Sequence, residues 1–279
     1  MLPYELLARA VAAARARESR REERLFDDPL ADALARTEGH EFLAALESIL
    51  PGNDASIGLA VRTRFFDDWL AEATSALGPS QVVIVGAGMD TRAFRMTWPE
   101  GTVLYELDYP ELIEHKEADL RKAGAAPACP RVPLGVDIAG AWPETLAAAG
   151  FRPDVPSLWL FEGLLVYLDA AVVNRLLHGA SRLAAARSRL AASLVGRAML
   201  THPPARPLID HLAALGVPWC FGTDEPERFL AIYGWDARAE QTGDVAHRLA
   251  RAPEPMPPRE LPGLPRDFLV TAQRRGRRA

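Results

Sequence analysis

The stretch with the clearest chemical content is Val82-Val83-Ile84-Val85-Gly86-Ala87-Gly88-Met89-Asp90-Thr91-Arg92. Its β-branched run reads as a strand covered on both faces, and it ends directly in two glycines. Glycine there permits a sharp turn and lets a ligand approach the backbone, because a Cβ would occupy the same space. Asp108 follows 20 residues beyond Gly88, at the end of a second apolar run, Val103-Leu104-Tyr105-Glu106-Leu107. A carboxylate so placed can accept hydrogen bonds from both hydroxyls of an adenosine ribose, a geometry common to nicotinamide and adenosylmethionine binding. Thr91 stands at the third glycine position of the dinucleotide fingerprint, which counts against a tightly packed pyrophosphate.

Three further positions extend this nucleoside reading, each with a plainer alternative beside it. Asp137, after a third apolar run, can hydrogen-bond the exocyclic amino group of an adenine with Ile138 packed beside the ring, or it can be a turn carboxylate. Glu162, where Ser157-Leu158-Trp159-Leu160-Phe161 ends, can face the cationic part of adenosylmethionine or cap a helix near Gly163. Arg62 can grip an α-carboxylate through paired donors, although on spacing alone Arg62 and Arg64 read equally as surface salt-bridge residues.

The elements that must hold these groups follow from periodicity. Residues 4–24 mix Leu and Ala with Arg and Glu and predict one polar-faced helix. A second helix starts where Asp28 can cap and Pro29 can occupy the first turn. A third covers residues 38–50 and stops at Pro51-Gly52, and a fourth runs from about Ser56 to Leu77 before Gly78-Pro79. Residues 1–80 therefore form a helical N-terminal cover, and residues 81–279 a core of strands alternating with helices, which argues a mostly parallel α/β sheet. Strands are expected at 82–85, 103–108, 132–137, 157–161, 190–194, 235–242 and 267–272, with helices after Pro110 and Asp169 and at 226–234. Residues from about 196 to 225, broken by Pro203, Pro204, Pro207 and Pro218, read as an insertion between sheet elements.

Composition narrows the partners. The chain has 279 residues, 25% charged and 49% hydrophobic, with a formal net charge of -5, so no global positive field draws phosphate backbones and nucleic acid is not an expected partner. The Arg-rich end, Arg274-Arg275-Gly276-Arg277-Arg278, reads as a solvated run. Two cysteines, Cys129 and Cys220, specify neither a disulfide framework nor a cysteine-built zinc site, and no clustered His/Cys/Asp pattern points to a metal. The apolar stretches are interrupted well before the roughly 20 residues of a membrane span, and the start lacks a compact signal core, so the expected compartment is the cytoplasm. Oligomeric state has no cue in the spacing.

Taken together, Arg62-Thr63-Arg64-Phe65-Phe66-Asp67-Asp68, Gly86-Ala87-Gly88-Met89-Asp90-Thr91-Arg92, Glu106-Leu107-Asp108-Tyr109-Pro110 and Phe161-Glu162-Gly163-Leu164-Leu165-Val166-Tyr167-Leu168 closely resemble the leucine carboxyl methyltransferase superfamily. The chain looks nearest to its bacterial branch of S-adenosylmethionine-dependent enzymes, which includes polyketide O-methyltransferases of secondary metabolism. The resemblance extends to the Ala-Arg-Ala-Arg-Glu-Ser and Phe-Asp-Asp-Pro-Leu-Ala-Asp segments at 14–19 and 26–32. It implies a class I methyltransferase fold, a Rossmann-like seven-stranded mixed sheet whose last strand is antiparallel, with an N-terminal helical extension and an inserted lid over the acceptor. It also implies that Arg62 holds the methionine carboxylate, that Gly86, Ala87 and Gly88 pass beneath the cofactor, that Asp108 binds ribose, that Asp137 and Ile138 frame adenine, and that Glu162 lies near the methionine amino group.

The implied reaction is transfer of a methyl group to an oxygen of a small molecule, a carboxylate or a polyketide-like phenol or hydroxyl. In-line transfer from a sulfonium gains much of its rate from fixed approach and excluded water, so no catalytic triad is required. An acceptor carboxylate is already ionised near neutral pH, whereas a phenol or alcohol benefits from a base. His202 and His211 in the insertion are the candidate bases, each with a structural or solvent-facing role as the plainer alternative, and Tyr167 can orient the oxygen or simply finish the core after Val166. His115 is expected to cap or pack nearby. Phe65, Phe66, Trp69, Met199, Trp219 and Phe221 are candidates for an apolar acceptor pocket. The competing readings are a protein C-terminal carboxyl methyltransferase, a nicotinamide oxidoreductase, and a noncatalytic cofactor-sensing or protein-interaction module.

Overall fold

Residues 2–49, 55–78 and 80–275 are described by the structure, a computed structural model of the chain. Helix α1 (Pro3–Ser19), α2 (Ala31–Ile49) and α3 (Ala55–Leu77) precede the sheet. Then β1 (Gln81–Val85), α4 (Arg92–Arg95), β2 (Val103–Asp108), α5 (Pro110–Lys122), β3 (Arg131–Gly135), α6 (Trp142–Ala148), β4 (Ser157–Phe161), α7 (Ala170–Leu183) and β5 (Arg189–Val195) alternate. A segment containing α8 (Arg206–Ala214) follows, and α9 (Pro226–Ala231), β6 (Trp235–Gln241), α10 (Thr242–Arg248) and β7 (Asp267–Arg274) complete the order.

The strands form one seven-stranded sheet in the order β3-β2-β1-β4-β5-β7-β6. β1 pairs in parallel with β2 on one side and β4 on the other, and β7 pairs antiparallel with both β5 and β6. The chain is thus an α/β protein with the Rossmann-like mixed sheet, N-terminal helices and inserted segment expected from the sequence. Val82, Val83 and Val85 are fully buried and Ile84 nearly so, because apolar clusters cover both faces of β1. Burying each such side chain stabilises the fold by about 1.5–3 kcal/mol, which explains a continuous apolar run without alternation.

Several sequence expectations change in the helical cover. The first helix is not polar-faced: its alanines pack against α2, and Arg9 and Arg15 are buried at 0% and 7% exposure. Arg9 donates to Glu5, to the Leu34 carbonyl and to Asp119 of α5, so an arginine that reads as solvent-facing satisfies its charge inside. The helix ends at Ser19 rather than residue 24, and Glu18 turns inward to accept from the Leu25 N–H and from Arg251 at 2.6 Å. Asp28 does not cap α2 with its side chain; that carboxylate takes Arg15 and the Thr91 hydroxyl, and its carbonyl accepts from Ala31. The two expected helices at 29 and 38 run on as α2, broken by non-helical backbone at Arg36.

Elsewhere α4, α6, α8 and α10 are helices absent from the sequence reading, and β3 ends at Gly135, two residues before Asp137. Arg274 is the last residue of β7, lies over the Trp235 ring and donates to the Tyr233 and Gly234 carbonyls, so the basic run begins inside the sheet. The rest of that run from residue 276, and the Pro51-Gly52 and Pro79 breaks, lie outside the described residues. Among the described residues no helix is long and apolar enough to cross a membrane, and no group of His, Cys, Asp or Glu is placed to hold a metal ion. Cys129 and Cys220 are unbridged.

Candidate functional site

β1 lies where the sheet order reverses, with β2 to one side and β4 to the other, and a crevice opens beyond the carboxyl ends of the three strands. The loop after β1 is hooked onto β2 by the Gly86 and Ala87 N–H groups, which both donate to the Leu107 carbonyl at 2.8 and 3.1 Å. Gly86 and Gly88 have φ of +69° and +48°, left-handed values that favour glycine. A Cβ at Gly86 would stand 2.8 Å from Leu164 Cδ1, and one at Gly88 would stand 3.2 Å from the Ala8 Cβ of α1.

The same parallel register sets Asp108 beside the loop. Gly88 N–H donates to its Oδ2 at 2.7 Å and Tyr109 N–H to its Oδ1 at 2.8 Å, so the carboxylate is fixed by backbone and each oxygen keeps acceptor capacity. Burial raises its pKa above the ordinary aspartate value, and these two N–H groups only partly offset that rise. A ligand that donates hydroxyl protons to this carboxylate therefore replaces solvation lost on folding.

Across the crevice, Glu162 leaves β4 toward Arg62 of α3 and Arg92 of α4. Arg62 Nε donates to Glu162 Oε1 at 2.9 Å, and Arg92 Nη2 approaches Oε2 at 2.8 Å, but Oε2 receives no well-aligned hydrogen bond. Burial alone would raise the Glu162 carboxyl; the Arg92 and Arg62 cations outweigh it and hold the group below the ordinary glutamate value. Neither Nη group of Arg62 makes a hydrogen bond within the described residues, and both press on Gly163, where a Cβ would stand 3.1 Å from Nη2. Arg62 thus offers free paired donors next to an under-satisfied carboxylate.

Beneath them runs a chain of buried ion pairs. Arg92, 2% exposed, binds Asp67 at 2.7 Å and Asp90 at 2.5 Å, Asp67 also takes Arg95, and Arg95 stands 3.7 Å from Asp28, which holds Arg15 of α1. Burial would raise the Asp90 carboxyl, but Arg92, Lys116 and Arg15 push it down to about 2. Arg15 also donates to the Met89 carbonyl, so the glycine loop, the helical cover and the Glu162 pocket share one electrostatic floor.

These groups enclose a cavity of about 330 Å³, at the small end of the range for ligand pockets. Of the sequence candidates, Arg62, Gly86, Ala87, Gly88, Asp108, Ile138, Glu162 and Tyr167 line it together. Asp137 does not: its side chain is exposed and accepts from the Ala139 N–H at 2.9 Å in a local turn. His202, between two 3-10 turns at Arg197–Thr201 and Pro203–Ala205, and His211, on α8 with its ring 6.3 Å from Phe42, are not among the lining residues. Nor are the proposed pocket aromatics: Phe66 and Trp69 pack in the core beneath α3, and Phe221 packs on Phe229. His115 is half-exposed, with Nδ1 3.1 Å from Glu5.

Sequence reasoning missed the roof of the cavity. Tyr4, Leu7, Ala8, Val11 and Arg15 project from one face of α1, joined by Leu59, Tyr109, Val217 and Pro218. Their spacing of three and four is the signal of a helix face. It is obscured because Arg15 interrupts the apolar residues of that face, while alanines and the buried Arg9 occupy the others.

The residues present fit S-adenosylmethionine. Asp108 matches a ribose, the free Nη groups of Arg62 match a carboxylate, and the unfilled acceptor on Glu162 matches an ammonium. The sequence profile of the family described as leucine carboxyl methyltransferase matches residues 8–181. A relative from Streptomyces coelicolor, whose name places it among S-adenosyl-L-methionine-dependent methyltransferases, is 38% identical over 268 residues, covering 92% of this chain and 93% of its own. Another so named, from Parafrankia sp., is 40% identical over 280 residues, covering 96% and 86%. A crystal structure from Thermobifida fusca assigned to the methyltransferases superposes with a TM-score of 0.64 at 17% identity, covering 97% of this chain and 95% of that one, a likeness of fold. The chain belongs to the leucine carboxyl methyltransferase family and is an S-adenosylmethionine-dependent methyltransferase.

Proposed function

We propose that the enzyme methylates an oxygen atom of a small, mainly apolar acceptor, and that this oxygen is ionised before it arrives, as in a carboxylic acid. When bound, S-adenosylmethionine supplies an electrophilic methyl group on a sulfonium. Asp108 accepts from the ribose hydroxyls, Arg62 grips the methionine carboxylate, Glu162 takes the ammonium, and the backbone of residues 86–88 forms the floor. Ile138 frames the adenine, with Asp137 contributing where its side chain leaves the Ala139 amide.

The observation that carries the acceptor reading is the division of the lining. Arg15, Arg62, Arg92 and Arg95 each face a carboxylate partner, the part formed by Leu7, Val11, Leu164, Leu168 and Val217 is apolar, and no histidine lines the cavity among the described residues. A carboxylate meeting a cation there yields two neutral groups, and an apolar, water-poor lining favours that loss of charge. Tyr167 is held protonated, since burial raises its pKa more than Arg62 and the neighbouring Trp219 lower it. Its hydroxyl can therefore donate to the acceptor oxygen and orient it, and it is not a base.

Incubation with methyl-labelled cofactor and a panel of lipophilic carboxylic acids and phenols tests the proposal. A labelled product that releases methanol in alkali, as a methyl ester does, is expected. A base-stable methyl ether would transfer the assignment to a hydroxyl acceptor, and an N-methyl or C-methyl product would overturn the choice of oxygen.

A further inference from the structure

The roof of the cavity is uneven. Over the floor it is aliphatic, from Leu7, Ala8 and Val11, but at the rim nearest Asp108 it is two aromatic rings, Tyr4 in the first turn of α1 and Tyr109 directly after Asp108. Their centroids are 4.6 Å apart with planes inclined by 33°. Tyr109 is 38% exposed, a large ring left half in solvent beside a polar carboxylate. The Tyr109 hydroxyl feels both the Asp108 and Asp137 carboxylates, and Tyr4 also feels Asp108, so the pair stands at the end of the cavity holding the candidate ribose acceptor and Ile138. Among the described residues, the methionine end, at Arg62 and Glu162, has no such pair.

A half-exposed ring pair is what a purine face can cover, because stacking removes apolar area on both partners and tolerates their polar edges. We infer that Tyr4 and Tyr109, already packed on each other, form a two-ring platform that the adenosyl end of the cofactor covers, with Tyr4 carried to the site by α1. This rests on the cofactor seat proposed above. The anchors of α1 make the arm stiff: Arg9 ties it to α2 and α5, Arg15 ties it to Asp28 and the Met89 carbonyl, and Glu5 meets His115. A preorganised ring pair loses little freedom when a ligand covers it, so its effect falls on dissociation more than on association.

The test is direct binding to the full chain, without turnover, using S-adenosylhomocysteine and 5′-methylthioadenosine, which lacks the amino-acid end. Tyr4→Ala and Tyr109→Leu are each expected to raise Kd for both ligands about tenfold, within the range of one base–aromatic contact, through faster release in stopped-flow measurements. Tyr4→Phe and Tyr109→Phe should stay within about twofold, because the ring face and not the hydroxyl makes the contact. Arg62→Ala should weaken S-adenosylhomocysteine and spare methylthioadenosine. Tyr109→Leu removes a ring contact of Tyr4 but leaves the Arg9 and Arg15 anchors of α1 in place, so it stays decisive even where Tyr4→Ala loosens the helix. Wild-type methylthioadenosine affinity in Tyr109→Leu, with a loss in Asp108→Ala, would overturn the platform and keep the seat; no loss in Asp108→Ala would overturn both.

Discussion

Asp108→Asn separates what this carboxylate does for the ligand from what it does for the fold. In the wild type both oxygens are held by backbone donors, at 2.7 Å from Gly88 and 2.8 Å from Tyr109, and both retain acceptor capacity toward the cavity. A hydrogen bond to a charged group contributes about 1.5–3 kcal/mol, and the amide keeps one of two acceptors, so the loss should be about 2 kcal/mol, roughly 30-fold in Kd. Stability should not follow. Burial raises the Asp108 pKa in the folded chain, so the group favours folding below its unfolded pKa, and that contribution is lost as pH rises through the folded pKa. A neutral amide removes this cost near pH 7, but its NH2 cannot accept from Gly88 or Tyr109, and the backbone N–H left without a partner costs about 1–3 kcal/mol; the two effects oppose, and the unliganded variant should melt close to the wild-type temperature. Ribose hydroxyls favour the ionised carboxylate, so wild-type affinity should decline on acidification starting above the ordinary aspartate range, and the variant should lack that limb. Calorimetric titration with S-adenosylhomocysteine from pH 4 to 8, with thermal melts of both proteins, tests each part. Wild-type affinity in a folded Asp108→Asn protein would falsify the ribose assignment.

Arg62→Ala should weaken S-adenosylhomocysteine by about 2 kcal/mol, since it removes the paired donors for the carboxylate, with Arg62→Lys partly restoring it in the same titration. Gly88→Ala places a side chain at φ +48°, 3.2 Å from Ala8, and should cost about 1–2 kcal/mol from backbone strain alone, read as a lowered urea midpoint together with reduced affinity. Asp119→Ala leaves Arg9 and Arg36 short of a carboxylate and should destabilise the fold by about 3 kcal/mol by chemical denaturation. His202→Ala and His211→Ala should leave turnover within about twofold, because neither side chain lines the cavity; a tenfold loss with unchanged melting would restore a base to the mechanism. The Asp90 carboxyl is pushed down to about 2, so its ion pairs stabilise the chain above the unfolded pKa and are lost as pH falls toward 2, and Asp90→Asn should flatten the acid limb of a stability curve.

The strands and the glycine loop were legible because their signals are local. A β-branched run, two glycines and an acid after the next strand need no tertiary knowledge, and β1, β2, β4, β5, β6 and β7 lie within a few residues of their expected positions. The charged lining was legible in part. Arg62 and Glu162 are 100 residues apart, and spacing alone left each with a structural alternative; only β1 pairing with β4 beneath α3 brings them to 2.9 Å. Arg92 and Arg15 were read past because buried arginine is rare, and nothing local announces that Asp67, Asp90 and Asp28 will neutralise them. The acceptor side was least legible. Aromatic residues such as Phe66 and Trp69 satisfied their hydrophobicity in the core, and the cavity took its apolar cover from α1.

The Glu18–Arg251 pair fastens the end of α1 to a residue just beyond α10, and Arg251 also donates to the Glu23 carbonyl. A nascent chain halted after β5 already contains the glycine loop and Asp108, yet lacks the last clasp on the helix that covers them. Such long-range closure is slow relative to local contacts, so cofactor capture by a growing polypeptide should mature only once Arg251 has been added and has reached Glu18.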